Sequence, residues 1–304
     1  MERRVRRPQS PIAESPRSPT KTNHRVLLRY DQIPAWHQDN EHILSGYRPE
    51  SKSTYLCFAS WAYRHNETAN IFSHFIPSII SLACQAIIAR VLAIKYPDST
   101  VGDRLIFAFF FLTVSVCLGM SATYHTVMNH SATVSDLWLR LDYVGIIILT
   151  FGDLVSGIYQ VFYCEPTLQK VYWSMICTLG AATIVILVNP RLQGLRYRTL
   201  RVCTFVFTGL SGLAPLIHGI KLFGILQMNR QSGMPYYLLE GLLLIIGAFF
   251  YGTRIPESIK PGRFDIWGCS HQIFHLLVVA ATAVHAYGII DAYDYNYHHR
   301  SCKL

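Results

Sequence analysis

Charge is scarce in this 304-residue chain. Asp, Glu, Lys and Arg together make up 15% of it, against 51% hydrophobic residues. The apolar residues stand in long blocks instead of alternating with polar ones, which argues against a soluble domain. Acidic residues are scarcer than basic ones, 18 against 27, leaving a formal net charge of +9. The basic residues flank the apolar blocks, so the excess reads as a membrane-orientation signal and no nucleic-acid partner is expected. The eight cysteines form no secreted disulfide framework. No apolar h-region follows the basic N-terminal residues, so a secretory signal is not expected there. No internal repeat is evident.

What is present is a series of apolar blocks. About 20 apolar residues cross the hydrocarbon core as a helix, and seven blocks fit: roughly 70–92, 105–125, 141–161, 171–189, 202–220, 236–253 and 271–290. The fifth is interrupted by Gly209, Gly212 and Pro215, which packed membrane helices tolerate. The expected fold is an all-α, seven-helix membrane bundle.

Lysine and arginine near span ends favour the cytoplasmic side. Arg3, Arg4, Arg6, Arg7, Arg17, Lys21, Arg25, Arg29, Lys52 and Arg64 precede the first span. Arg191, Arg196, Arg198 and Arg201 follow the fourth, and Arg254, Lys260 and Arg263 follow the sixth. All fall on one side of a seven-span protein, with Lys95 and Arg104 in mild dissent. The N-terminus is therefore expected in the cytosol, with anionic lipids of the cytoplasmic face as partners. Only Cys164 and Cys302 then lie outside the cytosol, so one disulfide is open to them. The glycosylation-type triplets at Asn66 and Asn129 face the cytosol and are expected to stay unmodified.

Four regions follow. Residues 1–24 are basic and rich in Pro and Ser, and should be disordered; Ser10, Ser15 and Ser18 each precede a proline as candidate phosphorylation sites. Residues 25–65 carry short apolar and aromatic stretches that suggest a juxtamembrane element such as an interfacial helix. Residues 66–291 form the seven-helix domain, and 292–304 a short extracytoplasmic tail. Glu67 and Asn70 read as caps or anchors of the first span and His74 as packing one turn deeper.

His271 and His275 begin the last span four residues apart, so they share a helix face. His125 ends the second span. The topology brings all three to one depth, just inside the cytoplasmic face, with Asp142 opening the third span beside them. Three histidines with an open fourth position suit a Zn2+ ion that activates water. Asp142 is a candidate to orient that water or take its proton, and Ser121, one turn before His125, to hydrogen-bond the water or a carbonyl. On spacing alone alternatives stay open: His130 competes with His125, Cys269, two residues before His271, offers a thiol ligand instead, and the zinc site is structural or catalytic. Asp153, on the Asp142 face of the third span, lines a lipid pocket, binds a headgroup or joins a structural pair. Glu240 reads as structural or interfacial, and His285 as too deep in the last span to join the zinc site.

Several segments resemble the progestin and adiponectin receptor family, which includes the haemolysin III-like proteins. They are HNETANIFSH at 65–74, SATYHTVMNHS at 121–131, LDYVGI at 141–146, TRIPES at 253–258 and PGRFDIWGCSHQIFHLLVVAATAVHAYG at 261–288. The resemblance runs from about residue 50 to 290 and is closer to the adiponectin-receptor branch, fungal members included, than to the compact bacterial branch. It implies seven helices with a cytosolic N-terminus. The family's zinc histidines match His125, His271 and His275, its water-contacting aspartate matches Asp142, and its serine matches Ser121.

That branch is associated with hydrolysis of ceramide to a sphingoid base and a fatty acid. The resemblance therefore implies a zinc-dependent amidohydrolase acting on a membrane sphingolipid, regulated as a receptor by an extracellular protein ligand. Fungal members are tied to lipid and zinc homeostasis. The first 50 residues differ from the human receptors' cytosolic domain, so the ligand is not carried over. A receptor with a structural zinc site and a zinc or proton transporter are the competing readings. The expected location is a multi-pass protein of the plasma membrane or of the endoplasmic reticulum and other internal membranes.

Overall fold

The computed structural model describes residues 26–192, 195–300 and 302. The tail expected at 1–24, with its three Ser-Pro sites, lies outside the described residues. Within them the chain is helical, with no strand beyond an isolated antiparallel bridge between Leu28 and Tyr47.

Ten α-helices follow one another: α1 (Thr54–Ala59), α2 (Thr68–Lys95), α3 (Val101–Val127), α4 (Ala132–Val161), α5 (Pro166–Val188), α6 (Arg198–Leu210), α7 (Leu213–Phe223), α8 (Ile225–Gln231), α9 (Met234–Thr253) and α10 (Ser270–His299). Among the described residues, seven segments are long and apolar enough to cross a membrane: α2, α3, α4, α5, Thr199–Phe223, α9 and α10. Burial is inverted relative to a soluble protein. Ile76, Ile79, Ile80, Ile87 and Ile94 of α2 are all exposed, the face that lipid would cover, whereas Ser78 and Ser81 are buried.

Those buried hydroxyls join α2 to α3. Ser78 Oγ donates to the carbonyl of Ser115 at 2.8 Å, Ser81 Oγ to that of Phe111 at 2.9 Å, and Gln85 Nε2 to that of Ala108 at 3.1 Å. The donors are three and four residues apart, hence on one helix face. Such bonds between membrane helices contribute about 0.6 kcal/mol each. Small residues let α3 and α4 approach. A Cβ at Gly152 would lie 1.9 Å from Thr113 Oγ1 and 2.8 Å from Thr113 Cβ.

Two boundaries differ from those read in the sequence. α4 begins at Ala132, nine residues before the expected third span; its first turns carry Ser135, Asp136 and Arg140, which the apolar-block criterion rejects although they are helical. Asp142 therefore lies ten residues inside the helix and does not open it. α10 continues to His299, well past the expected tail boundary at 292. The fifth span is divided, with α6 ending at Leu210 and α7 beginning at Leu213. At the break, a Cβ on Gly212 would meet Leu154 Cδ2 at 2.6 Å.

The segment before α2 folds over one end of the bundle. Ile33, Ile43 and Tyr47 form a small apolar cluster with Cys269. Gly46 turns this segment in the left-handed region (φ +86°), where a Cβ would strike Ile266 Cδ1 at 2.7 Å. Asp265 fastens the segment to the loop after α9 by accepting from the Leu44 amide at 2.9 Å and from Ser45 Oγ at 2.6 Å. At the opposite end, Cys164 and Cys302 form a disulfide with Cα atoms 4.9 Å apart.

Candidate metal centre

Each histidine is placed by an element whose end is fixed. His125 lies in the last turn of α3, where carbonyls lack helical partners. The buried Arg48 supplies them, donating to the carbonyls of His125 (2.6 Å) and Thr126 (2.8 Å) and to Ser60 Oγ (2.9 Å). His271 and His275 lie in the first turns of α10. Glu257 of the TRIPES segment is buried at that N-terminus, accepting from the Ser270 amide at 2.7 Å and from its hydroxyl. A carboxylate there satisfies an orphan N–H and complements the helix dipole.

The three imidazoles converge. Ring centroids are 5.0 Å apart for His125–His271, 5.0 Å for His125–His275 and 4.6 Å for His271–His275. The Nε2 atoms of His125 and His271 face each other at 3.1 Å, and one nitrogen from each of the three lies within 4.8 Å of the others. The far nitrogens of two rings are engaged, His125 Nδ1 with Glu67 Oε2 at 2.7 Å and His275 Nδ1 with Ser73 Oγ at 3.1 Å. Such contacts fix the tautomer so that the opposite nitrogen presents its lone pair. The donor set therefore fits a tetrahedral metal ion with three protein ligands.

Asp142 interacts electrostatically with His125 and with the buried Ser121. It is outside the three-nitrogen cluster and lines the same cavity. His130 is turned to Ser131 Oγ at 3.1 Å, and Cys269 is buried against the N-terminal segment. Neither belongs to the histidine cluster.

The segment at 65–74, read in the sequence as capping and packing, forms a second layer around the histidines. Asn70 Nδ2 donates to Glu67 Oε2 at 2.7 Å, and the His74 ring stacks on His275 with centroids 3.6 Å apart. The signal was the spacing 67, 70, 74, one stripe of a helix. Burial pushes the Glu67 carboxyl up, but its bonds to His125 and Asn70 and the charge of Arg48 outweigh that and hold it well below the usual carboxylate range.

A cavity of about 1200 Å³ opens below the histidines. Apolar side chains such as Ile146, Leu149, Phe205 and Val206 line its middle, and Asp153, Glu240 and His285 line it deeper in. Glu240 is not interfacial. It is buried against His285, with Oε2 2.7 Å from His285 Nδ1.

Comparison with known proteins bears on the same residues. The family profile described as Haemolysin-III related matches residues 62–286. An "Adiponectin receptor protein" of Drosophila melanogaster is 37% identical over 91% of this chain and 62% of its own length. The "Progestin and adipoQ receptor-like protein 1" of Caenorhabditis elegans is 37% identical over 87% of the chain and 60% of its own length. The chain thus spans about three-fifths of those two relatives. It covers more of the "ADIPOR-like receptor IZH1" of Eremothecium gossypii, 36% identical over 90% of the chain and 86% of the relative.

Proposed function

The chain belongs to the haemolysin-III-related family, among its adiponectin-receptor-like members, and from that premise we propose that it is a zinc-dependent amidohydrolase of ceramide-like membrane lipids. The observation that carries the reading is the convergence of His125, His271 and His275 in the lining of a mostly apolar cavity. A Zn2+ ion held there supplies Lewis acidity and brings water to a pKa of about 7.

The remaining work falls to side chains. Glu67 and Ser73 hold two of the imidazoles in one tautomer and orientation. Asp142 accepts the proton of the attacking water, and Ser121 donates to the oxygen on which charge develops. The apolar wall holds the acyl chain among the helices and keeps bulk water out. The volume and apolar lining of the cavity suit a lipid better than a small polar substrate.

The orientation we propose is N-terminus in the cytosol, with the histidines near that face. The basic loops support it, and so does the Cys164–Cys302 disulfide, which needs an oxidising compartment at the other end. An extracytoplasmic ligand that alters turnover would reconcile hydrolase with receptor. The test is fatty-acid release from ceramide by the purified, zinc-loaded chain beside His275→Ala and Asp142→Asn. Release by the wild type alone supports the reading. No release from wild type that still binds zinc favours a structural ion clamping α3 to α10 in a receptor.

A further inference from the structure

A second polar cluster lies deeper in the same cavity. Asp153 comes from α4, Glu240 from α9 and His285 from α10, and one ligand atom of each lies within 4.8 Å of the others. The cluster is buried, with side-chain exposures of 15%, 10% and 1%. Ten residues separate His285 from His275 along α10, about 15 Å of helical rise, so this is a separate place from the histidine site.

The tautomer of His285 defines what the cluster lacks. Ser156 Oγ donates to the carbonyl of Gly152 one turn back, at 2.8 Å. Its oxygen, 2.9 Å from His285 Nε2, is then an acceptor, so Nε2 carries the ring proton. A neutral imidazole then presents the Nδ1 lone pair, and what it faces is Glu240 Oε2 at 2.7 Å and Asp153 Oδ1 at 4.0 Å. Acceptors facing acceptors at that range need a cation between them, a metal ion or a proton. Asp153 Oδ1 is buried without a hydrogen-bond partner, and so is the hydroxyl of Tyr237, whose ring centroid is 5.1 Å from that of His285.

Charge balance is compatible with an ion there. Among the described residues, the ion pairs of Asp153 and Glu240 are with His285 alone, and neither meets a lysine or arginine. Two carboxylates with a protonated imidazole leave one uncompensated negative charge inside the bundle, where an ionised side chain costs about 2.5–3.5 kcal/mol. A divalent cation with a neutral imidazole leaves none, and it competes for the place with a second proton held between the two carboxyls. Donors about 3.4 Å apart suit a tetrahedral ion with bonds of about 2.0–2.2 Å, and the observed 2.7 and 4.0 Å bracket that spacing. One nitrogen and two carboxylates are donors for Zn2+, Mn2+ or Fe2+.

We propose that Asp153, Glu240 and His285 bind a divalent transition-metal ion at a second site in the bundle, with Ser156 as the positioning residue that sets the imidazole tautomer. The site goes beyond the hydrolase reading and stands independently of it.

The test counts ions. The purified full chain in detergent is equilibrated with buffered Zn2+, and bound metal is measured per chain for the wild type, Glu240→Gln, Asp153→Asn and His275→Ala. The two near-isosteric changes leave the packing of α4, α9 and α10 in place and guard against misfolding of either one. The proposal expects two ions in the wild type and one in each of the three variants, with His275→Ala losing a different ion from the other two. The Co2+ absorption spectrum separates the histidine-rich site from the carboxylate-rich one. One ion in the wild type that His275→Ala removes and Glu240→Gln and Asp153→Asn retain overturns the second site and leaves the histidine site standing. One ion with the opposite pattern supports the second site and removes the metal from the hydrolase reading.

Discussion

Glu67→Gln isolates the charge behind the histidine cluster from its shape. Glu67 Oε2 is 2.7 Å from His125 Nδ1 and 2.7 Å from Asn70 Nδ2. Glutamine fills the same volume and keeps an acceptor oxygen, so His125 retains its tautomer and direction while the negative charge disappears. A hydrogen bond to a charged group contributes about 1.5–3 kcal/mol, against about 0.5–1.5 for a neutral one. The substitution therefore removes about 1–1.5 kcal/mol of ligand support, or about tenfold in Kd for Zn2+ at 1.4 kcal/mol per decade. That is the low end of the 10–100-fold, roughly, that partners of ligating histidines provide. Glu67→Ala also removes the acceptor and should approach about 100-fold. The assay is competition for Zn2+ between the purified chain and a chromophoric chelator at fixed pH. Wild-type affinity in Glu67→Gln, with binding abolished in His275→Ala, would refute the claim that the Glu67 carboxylate acts on the metal through His125.

Arg48→Met should destabilise the protein by about 2–6 kcal/mol, because each buried acceptor left unpaired costs about 1–3 kcal/mol and the carbonyls of His125 and Thr126 both lose their donor; an unchanged thermal midpoint in detergent contradicts this. Gly152→Ala pushes a methyl into Thr113 and should cost about 1–3 kcal/mol by overpacking α3 against α4, part of it recovered by Thr113→Ala; full stability in the single variant would show that the helices can part freely. The N-terminal segment should be acid-labile. Burial, with Glu67 opposing and Arg48 assisting, lowers His37 to about 4, while burial and Arg48, with Glu67 opposing, lower His65 to about 3. Unfolded, both protonate near 6.5, so the unfolded segment binds more protons and stability, complete above pH 6.5, falls as pH drops towards 3, by about 1.4 kcal/mol per pH step for each histidine until its folded pKa is reached. Hydrogen exchange of residues 26–66 as a function of pH measures this, and flat protection between pH 7 and 4 would refute it.

The spans and the three histidines were legible because each rests on a local pattern. An apolar block long enough to cross a bilayer announces itself in about 20 residues. His271 and His275 share a face by spacing alone, and counting spans brought His125 to their depth. The start of α4 was hidden because its first turns are polar and helical at once, as Asp136 and Arg140, an ion pair one turn apart, illustrate. The glycosylation triplets were legible as motifs but carry less information than their spelling implies. Asn66 is 5% exposed and Asn129 3%, so neither has room for a glycan in the folded chain.

What stayed hidden shares one cause. Arg48 reaches α3 across 77 residues, Glu67 reaches His125 across 58, and Glu240 reaches His285 across 45. In each case a polar group that would be costly alone is matched by another at the same depth, and depth is a property of the folded bundle. Sequence spacing fixes depth within one helix, at about 1.5 Å per residue, but it leaves open which helices touch. Asp153 and His285 could be placed deep in their spans from the sequence, yet nothing local joins them. Glu240 read as structural or interfacial because it stands near the start of its apolar block, and its partner was not visible. Only the packing of α9 against α10 turns it inward and makes the three residues one site. A polar residue inside an apolar block is thus informative before its role is known, since the bilayer obliges it to have a partner and the fold decides which.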